Sequence, residues 1–230
     1  MPYRARRGTD GLVFHVLNRG VRRSRLFDHA GDYRDCLRVM ARARERVNLR
    51  LLAYCLMPNH FHLVAWPDAD GQLSRFMHWF TGTHSKRWHA ARGSTGTGSV
   101  YQGRFKAFPI QADGHFLTVC RYVEQNALRA GLVGRAEEWP WSSLAQRCRN
   151  RHDVPLDVWP ILPPDDWIDL VNVRKQGAET EAVRRASQRC TPYGDGEWLE
   201  RTSRTLGMMP HGRPVGRPAK WTSGVVLRKS

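Results

Sequence analysis

Met57-Pro58-Asn59-His60-Phe61-His62-Leu63-Val64-Ala65-Trp66 decides how this 230-residue chain is read. Residues 61–66 are apolar and β-favouring apart from one imidazole, and Pro58-Asn59 ahead of them is turn chemistry, so the stretch predicts a strand entered from a tight turn. Side chains of a strand alternate between its faces, which puts His60 and His62 on one face and Phe61, Leu63 and Ala65 on the other. Two imidazoles at i and i+2 can share one divalent ion. A polar, exposed strand face would show the same pair, and spacing alone does not separate the two readings.

Upstream, residues 49–57 predict a second strand, paired antiparallel with the first through the turn. Further out, residues 12–17 predict a strand. Residues 33–47 predict a helix with an Arg-rich outer face, and residues 71–91 a helix with Leu73, Phe76, Met77, Phe80, His84 and Trp88 along one side. Residues 92–99 are a Gly/Ser/Thr loop, and residues 104–110 alternate basic and apolar as a fourth strand. From Asp113, a plausible N-cap, to Gly131, a plausible C′ residue, Phe116, Val119, Cys120, Val123, Ala127 and Ala130 recur at helical spacing. Tyr122 lies about 100° from the centre of that stripe, with Asn126 four residues further along the same side. The pair is either a phenol and an amide offered beside the His strand, or a rim aromatic and a surface residue.

The order β-α-β-β-α-β-α predicts an α+β, ferredoxin-like (RRM-like) antiparallel sheet with two helices on one face. The other face is expected to be free and to carry His60, His62 and His15. A boundary is expected near residue 150. Residues 1–150 form the main domain, and residues 151–230 an extension, mostly helical or disordered, with a helix over 179–189 and a turn at 191–194.

Thirty-seven Lys and Arg against 21 Asp and Glu give a net charge of +16, which points to a polyanionic partner. The excess lies in residues 1–150, which carry 24 basic and 11 acidic groups. The best clusters for phosphate and base contacts are Arg4, Arg6 and Arg7; Arg19, Arg22, Arg23 and Arg25; and Arg104 with Lys106. Arg213 and Arg217 lie in Gly212-Arg213-Pro214-Val215-Gly216-Arg217-Pro218, which fits either a minor-groove insertion or a basic tail without fixed structure. Five scattered cysteines, never spaced as Cys-x-x-Cys, argue against disulfides and structural zinc. With no signal-like opening and no run of 18 apolar residues, a cytoplasmic protein with no membrane partner is expected.

Several of these stretches together resemble a known family. They are Met57-Pro58-Asn59-His60-Phe61-His62, Tyr101-Gln102-Gly103-Arg104-Phe105-Lys106, the run Arg121 to Val133, and Trp139-Pro140-Trp141-Ser142-Ser143. They are similar to the single-tyrosine HUH transposases, and among them to the REP-associated tyrosine transposases, relatives of the IS200/IS605 enzymes. The resemblance is strong over residues 11–145. Ala127 departs from it, standing where the family usually has proline.

The resemblance implies a single-strand DNA nuclease and strand transferase acting on hairpin-forming repeats. Tyr122 would be the nucleophile, forming a 5′-phosphotyrosine, with Tyr101 in reserve. His60, His62 and Asn126 would hold Mg²⁺ or Mn²⁺, which suits two imidazoles and an amide oxygen once phosphate joins. The expected partner is a single-stranded DNA hairpin, with no small-molecule cofactor, bound by a monomer or dimer. Two alternatives stay open: a ferredoxin-like module that binds nucleic acid without cutting it, and a replication initiator with the same chemistry.

Overall fold

The computed structural model describes residues 11–173 and 177–208. Strands β1 (Val13–Arg19), β2 (Arg50–Met57), β3 (His60–Trp66) and β4 (Lys106–Ile110) form one antiparallel sheet in the order β2-β3-β1-β4. With helices α1 (Ala30–Val47), α2 (Gln72–Ala91) and α3 (Gly114–Glu124) between and after them, the element order is the expected β-α-β-β-α-β-α of a ferredoxin-like domain.

Alternation along β3 divides the molecule. Phe61, Leu63 and Ala65 face a first core with Phe14 and Val16 of β1, where α1 contributes Cys36, Leu37 and Met40 and α2 contributes Phe76, Met77 and Phe80. Phe61, Phe76 and Phe80 are fully buried, each stabilising by about 1.5–3 kcal/mol relative to an exposed side chain.

The second face is not free. Val64, Val13, Phe108 and Ile110 on that side pack against Phe116, Val119, Cys120 and Val123 of α3. Around α3 lie α4 (Asn126–Arg129), α5 (Ser143–Cys148), α6 (Trp167–Asn172) and α7 (Ala178–Arg189), which add Ala127, Leu144, Val171 and Val183 to this second core. The reason is area: α3's apolar stripe needs a surface to cover, and β2 is apolar on both faces, as strands buried on both sides are. Among the described residues, the end of this face where β1 ends and β3 begins stays open.

A bulge in β2 serves the second core. Leu51 pairs with Ala65 and Ala53 with Val64, so Leu52 is the extra residue, and Leu52 and Ala53 both point to the α3 side. The freed Leu52 carbonyl accepts from the indole of Trp159 at 2.8 Å and from Arg147.

Both outer strands are covered. Along β2, Leu56 N–H donates to Trp141 O (2.9 Å), Trp139 Nε1 donates to Leu56 O (2.8 Å), and Trp141 stacks on Tyr33. Along β4, Tyr193 N–H donates to Pro109 O and Gln111 N–H to Tyr193 O, each at 2.9 Å. Residues 191–194, expected as a simple turn, therefore supply a bridge parallel to β4. Pro109 is tolerated because β4 is an edge strand.

Beyond residue 150, Val154 enters the first core, and Asp157 accepts from Arg44 of α1 (2.8 Å) and from Leu51 N–H (2.8 Å). Helix α8 (Gly196–Thr205) is N-capped by Asp195. Among the described residues, no helix is long and apolar enough to cross a membrane.

Candidate active site

The open end of the second face forms a cleft of about 440 Å³. Antiparallel pairing places its floor: Arg19 of β1 stands opposite His60 of β3, and Leu17 opposite His62. Tyr122 and Asn126 form one wall, Arg104 and Lys106 run along the β4 side, and Arg184 and Gln188 of α7 close it from above.

Tyr122 is placed by α3. Asp113 caps the helix by accepting from His115 N–H (2.8 Å), and the buried stripe fixes its rotation. Half-buried at the edge of that stripe, the Tyr122 ring lies 5.9 Å from the ring of His62 at 87°, and 5.9 Å from that of His15 at 70°. The helix does not run unbroken to residue 130. It opens at Gln125 (φ −80°, ψ −4°), whose side-chain amide donates to Val171 O and Val173 O, both at 2.7 Å. Backbone bonds from Gln125 N–H to Arg121 O and from Arg129 N–H to Gln125 O bridge the break, so Asn126 stays on Tyr122's side. Gly131, with φ +69°, then ends α4: its N–H donates to Leu128 O and that of Leu132 to Ala127 O, a Schellman pair that needs a left-handed residue.

The imidazoles are held by their inner nitrogens. His60 Nδ1 donates to Asn59 Oδ1 (2.7 Å), which leaves Nε2 with its lone pair. His62 Nδ1 lies 2.8 Å from Nε2 of His15, a fully buried side chain on β1. Only the arrangement in which His62 donates leaves its Nε2 free as a ligand, and His15 Nδ1 then carries the second proton with no acceptor among the described residues. Both ligand candidates are neutral, as metal ligation requires. Burial, with the Arg19 and Arg129 charges, lowers His60 to about 4; burial and the neighbouring imidazoles push His62 well below the usual range; burial and Arg129 lower His15 to about 3. Asn126 Oδ1 accepts from Arg129 at 2.9 Å and keeps one lone pair, while its Nδ2 is buried without a partner among the described residues. Two neutral imidazole nitrogens and an amide oxygen beside one cleft fit a divalent cation completed by oxygen ligands.

These depressed values make folding pH-dependent. His84, buried in the first core and likewise lowered to about 4 chiefly by burial, joins the three site histidines. Unfolded imidazoles take up a proton near pH 6.5, whereas the folded ones do not until about pH 4 or below. The unfolded chain therefore binds more protons in that window, and stability that is full above pH 6.5 falls as pH drops toward 4. Urea unfolding is expected to show a midpoint falling between pH 7 and 5 with more than one proton taken up, and a shallower fall in His84→Asn. A pH-independent midpoint would contradict it.

The other expected site residues divide. Arg19, Arg104 and Lys106 line the cleft. Arg22 and Arg23 stand on the exposed turn after β1, both with positive φ (51° and 62°), and Arg25 is paired with Asp28 at 3.2 Å. None of these three lines the cleft. Arg4, Arg6, Arg7, Arg213 and Arg217 lie outside the described residues. Tyr101, the reserve nucleophile, is buried in the first core, and its hydroxyl lies 2.8 Å from His84 Nδ1. It cannot serve the cleft.

Among the polar residues of the cleft, Asn18, Gln102, Arg184, Ser187 and Gln188 were not anticipated. Arg184 and Gln188 sit four apart on one face of an expected helix, but nothing in the spacing placed that helix over Tyr122. Arg129 was missed too. Its guanidinium lies over the Tyr122 ring, 3.9 Å from the centroid. A second groove of about 640 Å³, with Met77 and Phe105 among its walls, shares Asn18 and Arg104 with the cleft.

Comparison with known proteins agrees with this architecture. The model of the family described as IS200-like transposases matches residues 9–126. A solved structure of a REP-associated tyrosine transposase bound to a REP hairpin is similar, with a TM-score of 0.52 and 22% identity, over 69% of this chain and 90% of that one. No curated protein matches.

Proposed function

Because the chain belongs to the IS200-like transposase family, we propose that it is a metal-dependent strand transferase that cuts single-stranded DNA beside a hairpin through Tyr122. One observation carries this reading: a single cleft lines up Tyr122, His60, His62 and Asn126 with the cations Arg19, Arg104, Lys106 and Arg184. The structural neighbour's hairpin supports the choice of substrate.

In this reading the cleft's arginines and Lys106 receive the strand by its phosphates, and the adjoining groove past Asn18 and Arg104 gives unpaired nucleotides a path away from the nucleophile. His60, His62 and Asn126 would hold Mg²⁺ or Mn²⁺, which when bound polarises a phosphate oxygen and orients the phosphorus. The Tyr122 hydroxyl oxygen bonds to phosphorus as the bond from phosphorus to the 3′ oxygen breaks. The phenolic proton passes to water, and the departing 3′ oxygen takes one up. The product is a 5′-phosphotyrosine and a free 3′-hydroxyl. Since the phosphodiester energy stays in the new link, a 3′-hydroxyl can reverse the step without a nucleotide cofactor.

An end-labelled hairpin oligonucleotide with single-stranded flanks, incubated with the protein and Mg²⁺ or Mn²⁺, is expected to yield an adduct on a denaturing gel. EDTA should remove that product, and the fully duplex form should give none. Binding without any adduct, across hairpins and both metals, would leave a DNA-binding module in place of an enzyme.

A further inference from the structure

We propose that Arg129 is a further residue of the reaction: it holds Tyr122 and Asn126 in register and supplies the positive charge against which the attacking oxygen and the phosphodiester are balanced. The proposal rests on Tyr122 being the nucleophile.

Arg129 follows Tyr122 by seven residues and Asn126 by three, on the same side of the interrupted helix. It touches both: its guanidinium covers the phenol ring at 3.9 Å, and Nη2 donates to Asn126 Oδ1 at 2.9 Å. Its remaining groups are what call for explanation. Nε and Nη1 are buried with no acceptor among the described residues, and neither is Asn126 Nδ2 satisfied. Several other partly buried arginines differ. Arg44 meets Asp157, Arg92 meets Asp28 and Asp32, and Arg147 meets Glu124. Arg129 has no carboxylate partner among the described residues.

Such a group destabilises the fold, because a charge removed from water without a counter-charge or full hydrogen bonding is not repaid by packing. The anion that would answer it arrives with the substrate. As the oxygen–phosphorus bond forms, negative charge gathers beside a cation already in place, which needs no reorganisation at that moment. The buried Nδ2 of Asn126 offers a donor to the same oxygens.

The test separates stability from rate. Arg129→Met keeps most of the volume and removes the charge. It is expected to unfold at a urea midpoint equal to or above wild type and, with hairpin and Mn²⁺ both saturating, to form the adduct about 10²–10³-fold more slowly. Arg129→Lys should recover part of the rate, which repair of packing alone would not. A destabilised Arg129→Met, or an adduct rate that saturating hairpin and Mn²⁺ bring to within about threefold of wild type, would overturn the proposal. If the wild-type protein itself forms no adduct, it is the Tyr122 reading that falls.

Discussion

Tyr122→Phe is expected to abolish the covalent protein–DNA adduct while leaving hairpin affinity within about fivefold, a change of about 1 kcal/mol. The substitution removes one oxygen. The ring keeps its edge contacts with His62 and His15 and its place beneath Arg129, so the wall of the cleft is unchanged. The cleft's cations are also untouched. Filter binding gives the affinity, and a denaturing gel gives the adduct. Persistence of the adduct would move the nucleophile elsewhere, and Tyr101 is no refuge, being only 4% exposed with its hydroxyl engaged by His84. Loss of binding together with the adduct would mean that the phenol oxygen anchors DNA rather than attacking it.

Glu124→Ala should produce the largest loss of stability. Glu124 stands two residues after Tyr122 but points away from the cleft and is fully buried. Its carboxylate accepts from Ser143 Oγ at 2.6 Å, from Trp167 Nε1 at 2.9 Å and from Arg147, tying α3 to α5 and α6 in one contact. Removing one partner of a buried ion pair costs about 3–5 kcal/mol. Arg147 is one-third exposed and can turn to water, which favours the lower end of that range. For a chain of this size, a loss of about 3 kcal/mol lowers Tm by roughly 6–12 °C. Glu124→Gln should cost less. Its single oxygen can still serve Ser143 and Arg147, whereas its amide nitrogen would face the Trp167 donor. Equal melting temperatures for Glu124→Ala and wild type would show that this contact adds nothing to stability.

Much of this fold was legible because β3 and α3 each state a period. The alternation from His60 to Trp66 assigned both faces correctly, and Asp113 and Gly131 marked the two ends of the Tyr122 segment. The covered second face was legible only in retrospect: β2, from Leu51 to Met57, offers apolar side chains to both sides, which one core does not require. The bulge at Leu52 left no local signal, since its cause is the meeting of the Leu52 carbonyl with Trp159 and Arg147, about 100 residues away. In the site, His60, His62, Tyr122 and Asn126 stand out by residue type and spacing. Arg129 and Arg184 do not, because each is one of 32 arginines and differs from the rest only in what the fold sets beside it.

The coverings on the two outer strands limit how copies of this protein can meet. A strand offered by a neighbouring molecule finds no vacant row of amides and carbonyls at the Trp141 side or at the Tyr193 side, so joining sheets across a shared seam would first require peeling one of those segments away. Among the described residues, that leaves side-chain surfaces for self-association. A solution of this protein should accordingly resist the slow, seeded stacking to which bare sheet margins are prone.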